Sequence, residues 1–249
     1  MVALPRSVRL AAAASVWLAG RGSIDDVVDY VRGDDEPHTV EGLTDRPRAM
    51  LADALTALQS AGARAIGVAL PRPGDPHGLG GPRALTEAAV DAGEAVIATG
   101  APHALVPQVT AFGPPGDQGH FVSWRWYYAE PAPRAAGLAE AERALNEALL
   151  LAGSTLADLD IASWRPEVAQ LLADVRTGRE SAPLPHAYPA PAQALAARAA
   201  RLWAVTDFAL DDDGGALTSA ASAARRQALQ PLERAARHAL AAACNSLSG

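Results

Sequence analysis

The chain has 249 residues, a net charge of −7 and an isoelectric point near 5.3. An acidic surface repels phosphates, so this charge argues against a nucleic-acid or membrane-surface partner. All 21 of its basic Lys+Arg residues are arginine. The absence of lysine excludes a phosphate-loop lysine, a Schiff-base lysine and a kinase lysine within this chain.

The cysteine count sets a second limit. Cys244, the single cysteine, permits neither an internal disulfide nor a cysteine zinc cluster. A chain without disulfides fits a reducing compartment, so we expect a cytoplasmic protein. The sequence calls for no cofactor and no metal.

The first part of the chain predicts helices. Ser7 is placed to cap a helix ending near Ala19. We interpret this run as a helix rather than an export signal, because Trp17 and Leu18 occupy the place of a small-residue cleavage site. Ser23 begins a second helix with an [ST]-x-x-[DE] start.

Two weaker elements follow. The short segment from His38 to Leu43 is expected to be an edge strand. Thr44 or Asp45 is expected to cap a third helix, which Gly62 ends.

The segment from Arg64 to Glu130 predicts one sheet. Ile66–Leu70 is a continuous apolar run of strand length, and Ala95–Ile97 is a second one. A Pro/Gly loop and a helix at Arg83–Ala92 join them. A right-handed crossover between parallel strands is the default for such a β-α-β unit.

A hairpin is predicted to complete the sheet. Ala104–Phe112 and His120–Ala129 have strand patterns. The turn residues from Gly113 to Asp117 between them favour an antiparallel hairpin.

From Gly137 onward the chain shows only helical spacing. We therefore predict an α/β domain at 1–133 and a helical region at 134–249, packed on it or forming a bundle. The fold class is α/β, with a mixed sheet of four to five strands containing a parallel β-α-β unit and an antiparallel hairpin, plus about four C-terminal helices. The last of these carries an apolar seam that favours close helix packing, formed by Leu217, Ala221, Ala224, Ala228, Leu232, Ala235 and Ala239.

One C-terminal stretch carries a resemblance. The run from Asp211 to Leu217, followed by the run from Ala224 to Leu229, resembles a family of hypothetical proteins from high-GC Gram-positive bacteria. The resemblance covers the last quarter of the chain and implies a shared architecture without a known activity.

A candidate ligand site lies beside the first two central strands. Arg72, Asp75 and His77 follow the first strand, and His103 follows the second. If those strands are parallel, both histidines face one crevice at their carboxyl ends. An imidazole beside a carboxylate can act as a base, and Arg72 with Arg83 could hold a small anion. The alternative is that these are solvated loop residues.

A candidate partner surface lies on the last strand. Trp124, Trp126, Tyr127 and Tyr128 gather many of the chain's few aromatic residues. Trp124, Trp126 and Tyr128 share one face, which either packs the sheet or binds a partner.

No stretch carries a catalytic signature, so the function stays open between three hypotheses. The favoured one is a non-enzymatic cytoplasmic protein that binds a protein partner or forms a homodimer. The alternative is a small-molecule enzyme, of hydrolase type, with its site on the loops after the first two central strands. A third, a regulator that contacts nucleic acid through Arg225, Arg226, Arg234 and Arg237, is disfavoured by the net charge.

Overall fold

The computed structural model describes residues 4–43, 48–114, 117–131, 136–158, 184–211 and 219–247. The chain divides into two compact units. An α/β unit comprises Leu4–Ala135 together with Pro185–Tyr188 and Cys244–Gly249. A helical unit comprises Ala136–Leu184 and Pro189–Ala243, with Met1–Ala3.

The α/β unit contains one mixed sheet. Its strands are β1 (Thr39–Glu41), β2 (Ala49–Met50), β3 (Ala65–Ala69), β4 (Ala95–Thr99), β5 (His103–Phe112) and β6 (Gly119–Tyr128). They lie in the order β2-β1-β6-β5-β4-β3. The predicted mixed sheet and its antiparallel hairpin are confirmed, since β5 and β6 pair over their whole length. The sheet has six strands rather than four to five.

The predicted parallel β-α-β unit is wrong. β3 and β4 pair antiparallel, with Ala65 opposite Thr99 and Ala69 opposite Ala95. The long loop is the reason: it already carries the chain across the sheet, where Glu130 N–H donates to Gly80 C=O at 3.2 Å. The following helix then returns to the carboxyl end of β3. The one parallel pair among the described strands joins β1 to β6.

The segment at His38–Leu43 does form a strand, but not at the edge. β1 lies between β2 and β6, and the two-residue β2 is the edge strand. The sequence did not predict β2. It directly precedes the third helix, whose predicted cap at Thr44 or Asp45 lies outside the described residues.

Three helices belong to the amino-terminal part of the α/β unit, namely α1 (Arg6–Leu18), α2 (Ile24–Arg32) and α3 (Leu51–Ser60). α2 starts as predicted, with Ser23 and Asp26 bonding to each other's backbone N–H. The predicted Ser7 cap is wrong, because the cap position of α1 is two residues earlier, at Pro5. The N–H of Ser7 instead donates to the carboxylate of Glu94 at 2.7 Å, so a residue distant in sequence satisfies this helix end.

The fourth helix, α4 (Arg83–Ala92), packs on one face of the sheet. Its Leu85 and Ala89 are buried in a cluster with Ile97 and Val106 of the strands. We call this the α4 face. β-strand alternation puts Val96, Leu105 and Trp124 on the other face, which we call the α1 face.

The helical unit contains α5 (Leu138–Asp158), α6 (Ala190–Asp211) and α7 (Ser219–Cys244). α7 is one helix with Pro231 inside it. A fourth helix predicted from Ser163 lies outside the described residues. Three members of the predicted seam, Ala228, Leu232 and Ala239, are buried. A short 3-10 segment, Asn245–Leu247, follows α7 and belongs to the α/β unit. None of the described helices has the length and apolar character needed to cross a membrane.

Candidate functional site

The predicted ligand residues leave the sheet at two different levels. Ala104 lies opposite Ile97, so His103 is level with the start of β3, whereas Arg72, Asp75 and His77 follow its end. At about 3.3 Å per residue, these two levels are about 13 Å apart along the strands. The shared crevice was predicted from parallel strands, so the antiparallel pairing removes the basis of that prediction.

The remaining ligand candidates are also dispersed. Arg72 and Asp75 close a turn through reciprocal backbone hydrogen bonds of 3.1 and 2.9 Å. The Arg72 guanidinium lies against Gly93, at the end of α4. Arg83 is exposed at the start of α4, where its Nε donates to Glu87 Oε1 at 2.6 Å. Among the described residues, no three metal-ligating side chains converge.

His103 has a different partner from the one predicted. Trp126 Nε1–H donates to His103 Nδ1 at 3.1 Å, with ring centroids 4.7 Å apart. An indole nitrogen only donates, so His103 Nδ1 accepts and the neutral ring carries its proton on Nε2. Burial lowers the pKa of His103. The pair fixes the start of β5 against the end of β6.

The same kind of pair recurs deeper on the α1 face. Trp124 is fully buried, and its Nε1–H donates to His38 Nδ1 at 3.1 Å. His38 Nε2 therefore carries the proton and faces Asp35 Oδ2 at 3.4 Å. Burial lowers the pKa of His38 to about 4, against the raising influence of Asp35. With both ring nitrogens engaged, His38 is an anchor and not an available base.

Asp35 is the centre of this network. Arg6 donates to both of its oxygens, at 2.7 and 2.6 Å, and Arg9 donates at 3.3 Å. Burial by itself raises the pKa of Asp35, but Arg6, together with Arg9 and His38, outweighs burial and holds the pKa below its usual value. The network ties α1 to the segment between α2 and β1. Sequence reasoning missed it, because its members are scattered from residue 6 to residue 124.

The segment anchored in this way covers the outer edge of β6. Glu36 N–H donates to the C=O of His120 at 3.0 Å. His120 Nδ1 also lies 3.5 Å from Asp35 Oδ1. Together with the pairing of β1 to residues 123–125, these contacts occupy the side of β6 that faces away from β5.

Among the described residues, none gives the outer edge of β5 such a cover. β4 pairs with β5 only at Ala104 and Leu105. Residues 108–112 are exposed, and they project with Gly119–Phe121 as a two-stranded ribbon, which we call the arm. Phe112 and Phe121 stack on the arm at 4.4 Å between centroids while remaining 38% and 54% exposed.

Pro107 shows which backbone groups face outward. Directly opposed residues in an antiparallel pair alternate between exchanging two hydrogen bonds and exchanging none. Pro107 has no N–H, so its pair with Trp124 is of the second kind. By alternation, the N–H and C=O groups of Val109 and Ala111 point away from β6. We call this stretch, from Pro107 to Phe112, the open edge.

The predicted aromatic residues divide between core and surface. Trp124 is buried, while Trp126 and Tyr127 are half-buried. Tyr127 packs with the cluster under α4. Tyr128 is 58% exposed. Phe112 and Phe121 were not predicted as binding residues. The strand lengths could have indicated them, because two ten-residue strands beside a five-residue strand must extend beyond its end.

The other predicted binding residues are placed as follows. Arg237 of α7 is buried, and its Nε donates to Glu233 Oε1 at 2.6 Å. Arg226 and Arg234 are exposed, and the side chain of Arg225 lies outside the described residues.

Comparison with known proteins identifies the family but no activity. No curated protein and no solved structure matches the chain. Two family models match, and they extend the resemblance seen at the C-terminal quarter over most of the sequence. One, described as the N-terminal domain of Rv1486c-like protein, matches residues 7–141. The other, described as the C-terminal domain of the same protein, matches residues 139–241. The chain therefore belongs to the Rv1486c-like family.

Proposed function

We propose that this protein is a non-enzymatic binding protein that self-associates by pairing β-strands along the open edge. The proposal is carried by the outer side of β5 beyond Leu105, which no described strand pairs and where Val109 and Ala111 turn their N–H and C=O groups outward. Such an edge offers main-chain donors and acceptors to an added strand.

Two further features support a binding role. Residues 107–113 contain no charged side chain, whereas exposed edges that avoid pairing usually carry charges. The exposed Phe112 and Phe121 also give an incoming strand an apolar surface beside the edge.

The histidine contacts give the enzyme alternative no support. His38 and His103 each accept a hydrogen bond from an indole N–H. His103 is level with the start of β3, whereas the loop that carries His77 follows the end of that strand. A small-molecule reaction needs its groups within hydrogen-bonding reach of one substrate, so we keep the binding role as the proposal.

The test is the molar mass in solution as a function of concentration. We expect the wild type, measured by size-exclusion chromatography with light scattering, to rise from 25.6 kDa towards twice that mass. Val109→Pro removes an outward N–H, and Ala111→Glu places a charge on the edge. Both variants should remain near the monomer mass.

The matched control is Val109→Thr, which keeps the N–H and the strand preference. It should associate as the wild type does. Circular dichroism of each variant establishes that the fold is retained. A wild type that stays monomeric at every concentration, or folded Val109→Pro and Ala111→Glu variants that associate normally, would overturn the proposal.

A further inference from the structure

The open edge also constrains which strand can pair with it and in what register. We infer that the strand added to β5 is β5 of a second copy, antiparallel, with Thr110 on the twofold axis. This inference rests on the proposed function and adds the partner and the register to it.

The register follows from the outward groups. With Thr110 opposite its own copy, Val109 lies opposite Ala111 of the partner, and Ala111 lies opposite Val109. Both pairs then exchange both of their hydrogen bonds, which satisfies every outward donor and acceptor of these two residues. A twofold arrangement is self-complementary by construction, and it closes at two subunits.

The neighbouring twofold registers fail for separate reasons. Centring the pair on Val109 puts Pro107 opposite Ala111, and the C=O of Ala111 then meets a residue without an N–H. Centring it on Ala111 puts Val109 opposite Gly113. Gly113 has φ 90°, which is outside the extended conformation that a ladder requires.

Charge favours a second copy as the occupant. A twofold axis brings each side chain close to its own copy, so a charged edge would repel itself. The chain carries a net charge of −7, yet residues 107–113 contribute none of it. The stretch nearest the axis is therefore electrostatically compatible with itself.

The surface available indicates a weak and reversible dimer. An aromatic side chain buries about 150–250 Å² when it is fully covered. The half-exposed Phe112 and Phe121 can add roughly that area between them, with the strand backbone beside them. This is well below the roughly 800 Å² per partner of a standard stable interface, so we expect association only at high protein concentration.

Site-directed disulfides test the register. Directly opposed, non-hydrogen-bonded residues have Cα atoms about 4.5 Å apart, within the range that a disulfide spans. Thr110→Cys should therefore give a covalent dimer on mild oxidation. Gln108 and its own copy would be about 13 Å apart, so Gln108→Cys alone should not cross-link. Gln108→Cys mixed with Phe112→Cys should give a mixed dimer, because these two positions oppose each other.

The wild-type cysteine should contribute little to disulfide cross-linking. Cys244 is fully buried, and burial raises the pKa of its thiol to about 12. The wild type should therefore form no cross-link, which makes it the control for the oxidation conditions.

The possible outcomes distinguish the claim of strand pairing from the claim about its partner and register. A concentration-dependent dimer with efficient Thr110→Cys cross-linking supports both. A dimer that cross-links through Gln108→Cys alone, or through neither variant, overturns the register and leaves strand pairing in place. A monomer that captures an unrelated strand, or pairs the edge with another segment of its own chain, overturns the choice of a second copy.

A charge exchange provides a second measurement. Thr110→Glu and Thr110→Arg should each be monomeric, because like charges would meet on the axis. Their equimolar mixture should recover the dimer at least to the wild-type extent. Failure of the mixture to associate, with both variants folded and the wild type dimeric, would overturn the position of Thr110.

Discussion

Two strands of the same sheet, β3 and β5, have free sides that differ in how their backbone groups are bonded. At β3, the Oγ of Ser15 lies 2.9 Å from both the N–H nitrogen and the C=O oxygen of Ile66. The side-chain amide of Asn245 accepts from the N–H of Val68 at 2.7 Å and donates to its C=O at 3.0 Å. We call this the closed edge. At the open edge of β5, no strand in the described part of the chain lies beside the equivalent groups of Val109 and Ala111.

The contrast shows that particular polar side chains close the edge of β3. A hydroxyl and an amide, each acting as donor and acceptor, can replace a neighbouring strand residue by residue. Ser15 follows a run of four alanines in α1, and Asn245 comes from the far end of the chain. Since polar side chains close one edge and the α2–β1 segment covers β6, the exposure of β5 is a local property of the arm.

The largest effect should come from opening the closed edge. Ser15→Ala leaves the buried N–H and C=O of Ile66 without a partner, which costs about 2–3 kcal/mol of unfolding free energy. Asn245→Ala should cost a similar amount at Val68. Denaturant unfolding followed by tryptophan fluorescence measures both.

The control for this prediction is Ser154→Ala. Its hydroxyl bonds a carbonyl of its own exposed helix at 2.9 Å, so its removal should change stability by less than about 0.5 kcal/mol. Ser15→Ala should also allow chains to associate through the exposed edge of β3. Adding Val109→Pro to this variant should not suppress that association. Equal stability of Ser15→Ala and Ser154→Ala would show that the closed edge does not need its hydroxyl.

The next largest effect should be acid destabilisation through His38, which anchors the cover over β6. Its pKa is about 4 in the folded protein, against 6.5 as its ordinary value. The unfolded chain therefore takes up a proton as the pH falls below 6.5, while the folded protein does not until about pH 4. Stability should decrease across this window by about 2 kcal/mol, a value discounted for partial screening.

His38→Gln tests this assignment. Glutamine does not titrate, so the His38 contribution to the slope between pH 6.5 and 4 should disappear. The lowered pKa of Asp35 acts at lower pH: its contribution is present above its ordinary value of 3.8 and is lost below it. Unfolding free energies measured from pH 7 to pH 4 distinguish the two groups. An unchanged slope in His38→Gln would assign the acid sensitivity elsewhere.

A smaller effect on stability, but a clear one on association, is expected on the arm. Phe121→Ser loses the stack with Phe112, which is worth about 1 kcal/mol or less at this exposure. It should also weaken association several-fold in light scattering. Tyr128→Ser, at the exposed far end of the same strand, is the matched control and should associate normally. If Tyr128→Ser weakened association and Phe121→Ser did not, the binding surface would lie at Tyr128 instead.

The smallest effect should come from Arg83, which lies on neither edge. Arg83→Ala removes an exposed pair with Glu87, and exposed pairs contribute little. We expect no measurable change in unfolding or in dimer mass. A loss of association would mean that the start of α4 takes part in the interface.

The sequence predicted much of the local structure for a physical reason. Continuous apolar runs at Ile66–Leu70 and Ala95–Ile97 mark buried strands, and the turn residues between Phe112 and Gly119 mark a hairpin. The strand direction was not predictable in the same way. It depended on whether the loop before α4 crosses the sheet, which is decided by contacts of Gly80 and Gly81 with Ala129 and Glu130.

The candidate site shows the same division. The aromatic strand was recognisable from composition, and two of its residues proved to be anchors, since Trp124 and Trp126 each donate to a histidine. The open edge was not recognised, because exposure of Val109 and Ala111 depends on where β4 stops.

By itself the sequence determined most of the described strands and helices, the absence of lysine chemistry, and an uncharged stretch at 107–113. These properties follow from residue types and their local spacing. Tertiary structure alone decided the strand order, the histidine partners, and which edges of the sheet are closed. Those outcomes depend on groups far apart in the chain, such as Val68 and Asn245, whose meeting no local pattern encodes.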